Sequence, residues 1–151
     1  MASKIDICIH GCSTRHRQGG WGAILINKTK PKYTAIFGGA VRNATDDLME
    51  IMSAIQALGM LKRQCEVTLT TESDLVRRIV ENRFIHKNHK SLCHELRYLA
   101  EEHSVKVNKI KKHTETEGDP RVYALVHEGI QEAKEKARVH KGMLNRIPNH
   151  F

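Results

Sequence analysis

Ile7-Cys8-Ile9-His10-Gly11-Cys12-Ser13, followed closely by Gly19-Gly20-Trp21-Gly22-Ala23-Ile24-Leu25, is the stretch whose reading decides the fold. Over residues 4–10 the side chains alternate. Ile5, Ile7 and Ile9 share one face of a strand, and Asp6, Cys8 and His10 share the other. Residues 19–26 read as a second strand. Residues 32–38, rich in Tyr, Thr, Ile and Phe, read as a third. Residues 27–32, with Pro31, form the turn between the second and third strands. Three consecutive strands on short connections predict an antiparallel meander.

Beyond the third strand the apolar period changes. Leu48, Ile51, Met52, Ile55 and Leu58 recur at helical spacing over residues 45–61, with Thr45 as cap and Asp46 and Asp47 in the first turn. Residues 66–71 form a fourth strand with Val67 and Leu69 on one face. Ser73 caps a short helix that runs to residue 81, with Asp74 as first-turn charge. Residues 90–102 carry Leu92, Leu96 and Leu99 on a further helix, and Val105 and Val107 mark a fifth strand. Asp119 caps and Pro120 starts a last helix with Val122, Leu125, Val126, Ile130 and Ala133 as its stripe. The fourth and fifth strands follow crossover helices, so they add in parallel to the meander. Residues 1–137 are expected to form one α/β domain, and residues 138–151 a loosely held basic tail.

The chain has 151 residues, 40% of them apolar, which suits a single core and no membrane span. The first residues, with Lys4 and Asp6, lack an apolar signal core, so secretion is not expected. Cys8, Cys12, Cys65 and Cys93 make no Cys-x-x-Cys pair and read as free thiols of a reducing cytoplasm. The net charge of +8 favours anionic partners, nucleic acid first among them, and also suits an acidic protein surface.

The element order, the 19–25 strand, Leu48-Met49-Glu50-Ile51-Met52-Ser53-Ala54-Ile55, Leu69-Thr70-Thr71-Glu72-Ser73 and Lys112-His113 ahead of the last helix together resemble type 1 ribonuclease H. The resemblance spans about residues 5–135. It implies a mixed five-stranded sheet, an antiparallel meander of the first three strands plus parallel fourth and fifth strands, with helices on both faces. The segment between Glu72 and Val105 looks too short for the basic handle helix that some members use. The resemblance also implies a site of four carboxylates holding two Mg²⁺ ions. One ion activates a water, and the other stabilises the leaving oxygen of an RNA phosphodiester. Carried onto this chain, the first-strand Asp becomes His10 and the helix Glu is Glu50. The Asp at the end of the fourth strand becomes Glu72, the last-helix Asp becomes Tyr123, and the mobile-loop His is His113.

That substitution pattern changes the chemistry. Glu50 and Glu72 supply two negative charges where two Mg²⁺ bring four positive ones. A neutral imidazole has one lone pair and cannot bridge two ions. The Tyr123 phenol ionises only near a pKa of about 10. Glu72 reaches about 1.5 Å further than an Asp. A single Mn²⁺ or Zn²⁺ held by His10, Glu50 and Glu72 is the more credible metal arrangement. Cys8, His10, Cys12 and His113 sketch a zinc set, but alternate strand residues stand ~6.6 Å apart, too wide without a bend at Gly11. Asp6 lies about 13 Å before His10 along the strand, too far to replace it. Glu117 and Asp119 precede Tyr123, and read as solvated loop and helix cap rather than as ligands.

Lys106, Lys109, Lys111 and Lys112 adjoin His113 and form the expected phosphate-contact cluster, joined by Ser13 and Ser73. Arg77, Arg78 and Arg83 make a second cluster. Lys134, Lys136, Arg138 and Lys141 read as a solvated helix face. Asp46 and Asp47 stand where the resemblance implies small polar residues touching 2′-hydroxyls; carboxylates there repel phosphates, and helix capping explains them equally well. Trp21, Tyr33, Met49 and Met52 read as core. Two functions follow: a ribonuclease-H-like domain that binds an RNA–DNA hybrid or RNA, or a protein partner, with no cofactor and little hydrolysis; or a divergent ribonuclease H using Mn²⁺ or Mg²⁺. A protein-binding adaptor shares the fold and differs in ligand.

Overall fold

A computed structural model describes residues 2–30, 33–111 and 119–135. Pro31, Lys112, His113, Glu117 and the tail from residue 138, with Lys136, lie outside the described residues. The described elements are β1 (Ser3–Ser13), β2 (Gly19–Asn27), β3 (Thr34–Val41), α1 (Asp46–Gly59), β4 (Cys65–Thr71), α2 (Asp74–Val80), α3 (Lys90–Glu101), β5 (Ser104–Lys109) and α4 (Pro120–Glu135). They form one five-stranded sheet in the order β3-β2-β1-β4-β5. The meander is antiparallel, and β4 and β5 are parallel to β1. Among the described residues no helix is long and apolar enough to cross a membrane.

β1 runs three residues past His10, to Ser13. Gly11 does not break it, because the position pairs with Trp21 and presents no side chain to α1. A Cβ there would stand 2.5 Å from the Met49 carbonyl carbon. The unbent strand keeps Cys8, His10 and Cys12 at alternate positions. β3 starts later than its apolar run suggested and continues through Gly38 and Gly39 to Val41, paired with β2 along its length.

Alternation along β1 divides two layers. Ile5, Ile7 and Ile9 face α1, α2 and α3 in a core with Leu25, Phe37, Met49, Leu58, Leu69, Val76, Ile79 and Leu96. Each large apolar side chain fully withdrawn from water contributes about 1.5–3 kcal/mol. Trp21 is buried edge-on to Phe37 at 5.9 Å between centroids, and Tyr33 and Met52 pack against the same core. On the other face α4 lies across β1, β2 and β3. Glycines permit its close approach: a Cβ at Gly20 would stand 2.3 Å from the Val126 carbonyl oxygen, and one at Gly129 2.4 Å from that of Gly39. Beyond the reach of α4 the same face is polar. Glu66, Thr68, Lys106 and Asn108 are exposed there.

The caps follow the sequence. Thr45 Oγ1 accepts the Leu48 N–H at 3.2 Å, and Ser73 Oγ accepts that of Val76 at 3.0 Å. The Asp119 carboxylate accepts the Arg121 N–H at 3.0 Å at the start of α4.

Candidate functional site

Three elements meet above the middle of the sheet. β1 presents His10 on its α4 side, the end of β4 delivers Glu72, and the first turn of α4 brings Tyr123 over both. The His10 and Tyr123 rings are tilted by 49° with centroids 4.6 Å apart. His10 Nδ1 lies 3.8 Å from Glu72 Oε2, and the Tyr123 hydroxyl donates to that same oxygen. The Glu72 side chain is only 4% exposed. A buried carboxylate needs such donors, because leaving it unpaired costs on the order of several kcal/mol. His10 and Tyr123 therefore serve Glu72 as polar neighbours.

The surrounding groups sense this charge. Burial raises the Cys12 thiol above its ordinary range, with the carboxylates of Asp46, Glu50 and Glu72 adding in that order. Burial is also the first cause of the rise at Cys8; a hydrogen bond from the Asp119 backbone opposes it, and the charges of Asp119 and Glu72 add to it. Glu50 thus belongs to the same electrostatic cluster, through the turn of α1 that also offers Asp46 to the Ser13 N–H at 2.7 Å and to the Ser13 hydroxyl at 3.1 Å. Asp119 adjoins Cys8, and its carboxylate is bonded to its own helix. Hydrogen bonds from the Arg121 side chain at 3.1 and 2.8 Å tie it to its own helix and hold its carboxyl below the ordinary value.

The positions implied to hold two Mg²⁺ do not fit such a pair. Two carboxylates are present, and one already receives a phenol proton donor beside an imidazole. Mg²⁺ requires a tight shell of oxygens and charge to match. Among the described residues no group of three or more His, Cys, Asp or Glu is arranged to hold a metal ion.

The expected phosphate cluster is divided by the register of β5. Lys109 pairs with Thr71, next to Glu72, and Lys111 follows Ile110, whose N–H binds the Thr71 carbonyl at 2.9 Å. Lys106 pairs with Thr68, further back. Residues three apart on a strand point to opposite faces, so Lys106 and Lys109 do not act on one surface. Ser73 is 3% exposed and is placed as the α2 cap rather than as a surface contact. Lys112 and His113 lie outside the described residues. Asp6 pairs with Lys28 at 3.5 Å, away from the site. Asp47 accepts from or faces His86 Nε2 at 3.0 Å, which pins the α2–α3 connection to the start of α1; nothing in the sequence spacing marks that pair.

The family model for RNase H matches residues 7–131. Ribonuclease H of Pseudomonas putida (strain W619) is 29% identical over 150 residues, covering 90% of this chain and 99% of that protein. Ribonuclease H of Pseudomonas savastanoi pv. phaseolicola is 30% identical over 148 residues, covering 89% and 97%. Among solved structures, the N-terminal RNase H domain of Rv2228c from Mycobacterium tuberculosis superposes with a TM-score of 0.71 at 20% identity, covering 89% of this chain and 98% of that one. LC11-RNase H1 in complex with an RNA/DNA hybrid gives 0.70 at 18%, covering 86% and 99%. At these identities the structures speak for the fold. The family model spans both layers of the sheet and every element that builds the His10–Glu72–Tyr123 cluster, and on that match the chain belongs to the RNase H family.

Proposed function

We propose that the chain is a ribonuclease-H-like domain that binds nucleic acid, an RNA–DNA hybrid or RNA, and has given up efficient hydrolysis. The observation that carries this reading is the His10–Glu72–Tyr123 cluster. A carboxylate that serves metal ions must turn its oxygens to them, whereas Glu72 Oε2 takes the Tyr123 hydroxyl and stands beside His10. Support for the ligand comes from the net charge of +8, from Lys109 and Lys111 beside the site, and from the fold shared with LC11-RNase H1, a protein solved on an RNA/DNA hybrid. A protein partner is the alternative ligand. The proposal takes residues 1–137 as the domain and 138–151 as its basic tail. Free thiols at Cys8, Cys12, Cys65 and Cys93 suit a cytoplasmic setting.

The test is fluorescence anisotropy on a labelled hybrid, with the same samples resolved on a denaturing gel in Mg²⁺ and in Mn²⁺. The expected result is binding that weakens steeply between 50 and 200 mM salt, as phosphate contacts do, with the RNA strand left intact in Mg²⁺. Rapid turnover in Mg²⁺ overturns the reading. Cleavage in Mn²⁺ alone, abolished by Glu50→Gln, selects the divergent enzyme instead. Affinity indifferent to salt favours the protein-binding adaptor.

A further inference from the structure

The β1–β2 turn and the β3–α1 connection build a basic cleft at the end of the sheet. Thr14 organises the turn: its N–H donates to the Gln18 carbonyl and its carbonyl accepts the Arg17 N–H, both at 2.9 Å. Its hydroxyl bonds the Gln18 side chain at 2.6 Å. The Ala44 N–H then donates to the Arg17 carbonyl at 2.8 Å, which stitches this turn to the segment after β3. Arg17 and Asn43 both hold left-handed backbone conformations, at φ 65° and 57°. Such conformations are uncommon for Arg and persist where surrounding structure fixes them. The outcome is a preset corner that presents exposed Arg15, His16, Arg17 and Arg42. The end of α4 closes it with Lys134. The cleft has a volume of about 290 Å³, and Glu135 is the one carboxylate on its lining.

This cleft has a defined place relative to the site. Ser13, Gly19 and Val41 pair across β1, β2 and β3, so the turn begins three residues beyond His10, about 10 Å at ~3.3 Å per residue. Lys109 and Lys111 lie on the opposite, β5 side. Ser13, Gly19, Val41, Thr71 and Lys109 are all terminal residues of their strands at this one end of the sheet, so a polyanion running along that end from Lys109 and Lys111 meets Arg17, Arg42 and Lys134 at the β3 edge. Guanidinium groups on a fixed backbone suit phosphate oxygens, which they bind in fork geometry.

We infer that the Arg17–Arg42–Lys134 cleft is a second phosphate-backbone contact of this domain, holding the nucleic-acid strand on the far side of the His10–Glu72–Tyr123 cluster. The inference rests on the nucleic-acid reading above and adds a site to it.

The experiment compares hybrid affinity and its salt dependence for the natural chain, an Arg17→Asn/Arg42→Gln variant and a Lys62→Gln/Arg63→Gln variant. Asn tolerates the left-handed conformation at position 17. Lys62 and Arg63 are exposed ahead of β4, at the other end of the sheet, and their loss removes the same charge. The cleft variant is expected to bind roughly tenfold more weakly, with the slope of log affinity against log salt reduced by about 2, one per lost phosphate contact. The Lys62/Arg63 variant is expected to keep the natural slope. Melting temperatures of both variants within about 2 °C of the natural chain, in line with surface substitutions, show that folding is intact. If the natural chain binds and the two variants behave alike, the cleft inference falls and the nucleic-acid reading stands. If the natural chain does not bind a hybrid or RNA at any salt, both fall.

Discussion

A variant carrying His10→Asp, Glu72→Asp and Tyr123→Asp is expected to cleave the RNA strand of a hybrid about a thousandfold faster than the natural chain in Mg²⁺. That factor corresponds to roughly 4 kcal/mol of barrier, a modest share of what divalent ions contribute to phosphodiester hydrolysis. The geometry supports the gain. His10, Glu72 and Tyr123 already converge, with rings 4.6 Å apart and a shared carboxylate oxygen, so three Asp side chains would point into one small volume. Crowded carboxylates repel one another until a cation joins them. The variant is therefore expected to melt lower than the natural chain without metal, and to gain stability as Mg²⁺ is added, because an ion that binds only the folded state stabilises it. A variant that remains inactive and whose melting temperature ignores Mg²⁺ would show that the scaffold has drifted beyond these side chains.

The largest stability effect is expected at Gly129. In an exposed helix Gly→Ala gains about 1 kcal/mol. In α4 the sign reverses. The new methyl would meet the Gly39 carbonyl oxygen at 2.4 Å and the Gly20 Cα at 3.0 Å, and both are backbone atoms of paired strands that cannot step aside. Overpacking of this kind costs about 1–3 kcal/mol or more. A net loss near 2 kcal/mol lowers the melting temperature by roughly 4–8 °C in a domain of this size. Gly59→Ala is the matched control, since nothing lies within 4 Å of a Cβ at that position. It is expected to leave the melting temperature unchanged or to raise it slightly. Thermal scans of the two variants decide the matter; equal shifts would contradict the close approach of α4 to the sheet.

The two layers were legible because period is a direct record of burial. Ile5, Ile7 and Ile9 alternate, the stripe of α1 recurs every three to four residues, and the core contains both sets. Thr45, Ser73 and Asp119 stand at helix starts as their side-chain chemistry demands. The extension of β1 through Gly11 was not legible, since glycine ordinarily weakens a strand and its role here is set by the Met49 backbone across the layer. The positions of His10, Glu50, Glu72 and Tyr123 came from family resemblance; nothing in local spacing joins residues of four different elements. The split of Lys106 from Lys109 follows from strand alternation, which a count of nearby lysines overlooks. The Arg17–Arg42–Lys134 cleft depends on a tertiary stitch, Ala44 to Arg17, between segments distant in the chain. The same is true of His86 and Asp47.

The central claim is that imidazole, phenol and two carboxylates at residues 10, 123, 50 and 72 cannot seat a pair of magnesium ions. Isothermal titration of the natural chain with MgCl₂, paired with side-chain chemical shifts of His10 and Tyr123, tests it directly. The account predicts no saturable uptake of two ions and no metal-dependent shift at either ring. Two Mg²⁺ bound per chain at millimolar concentration, with both rings perturbed, would contradict it.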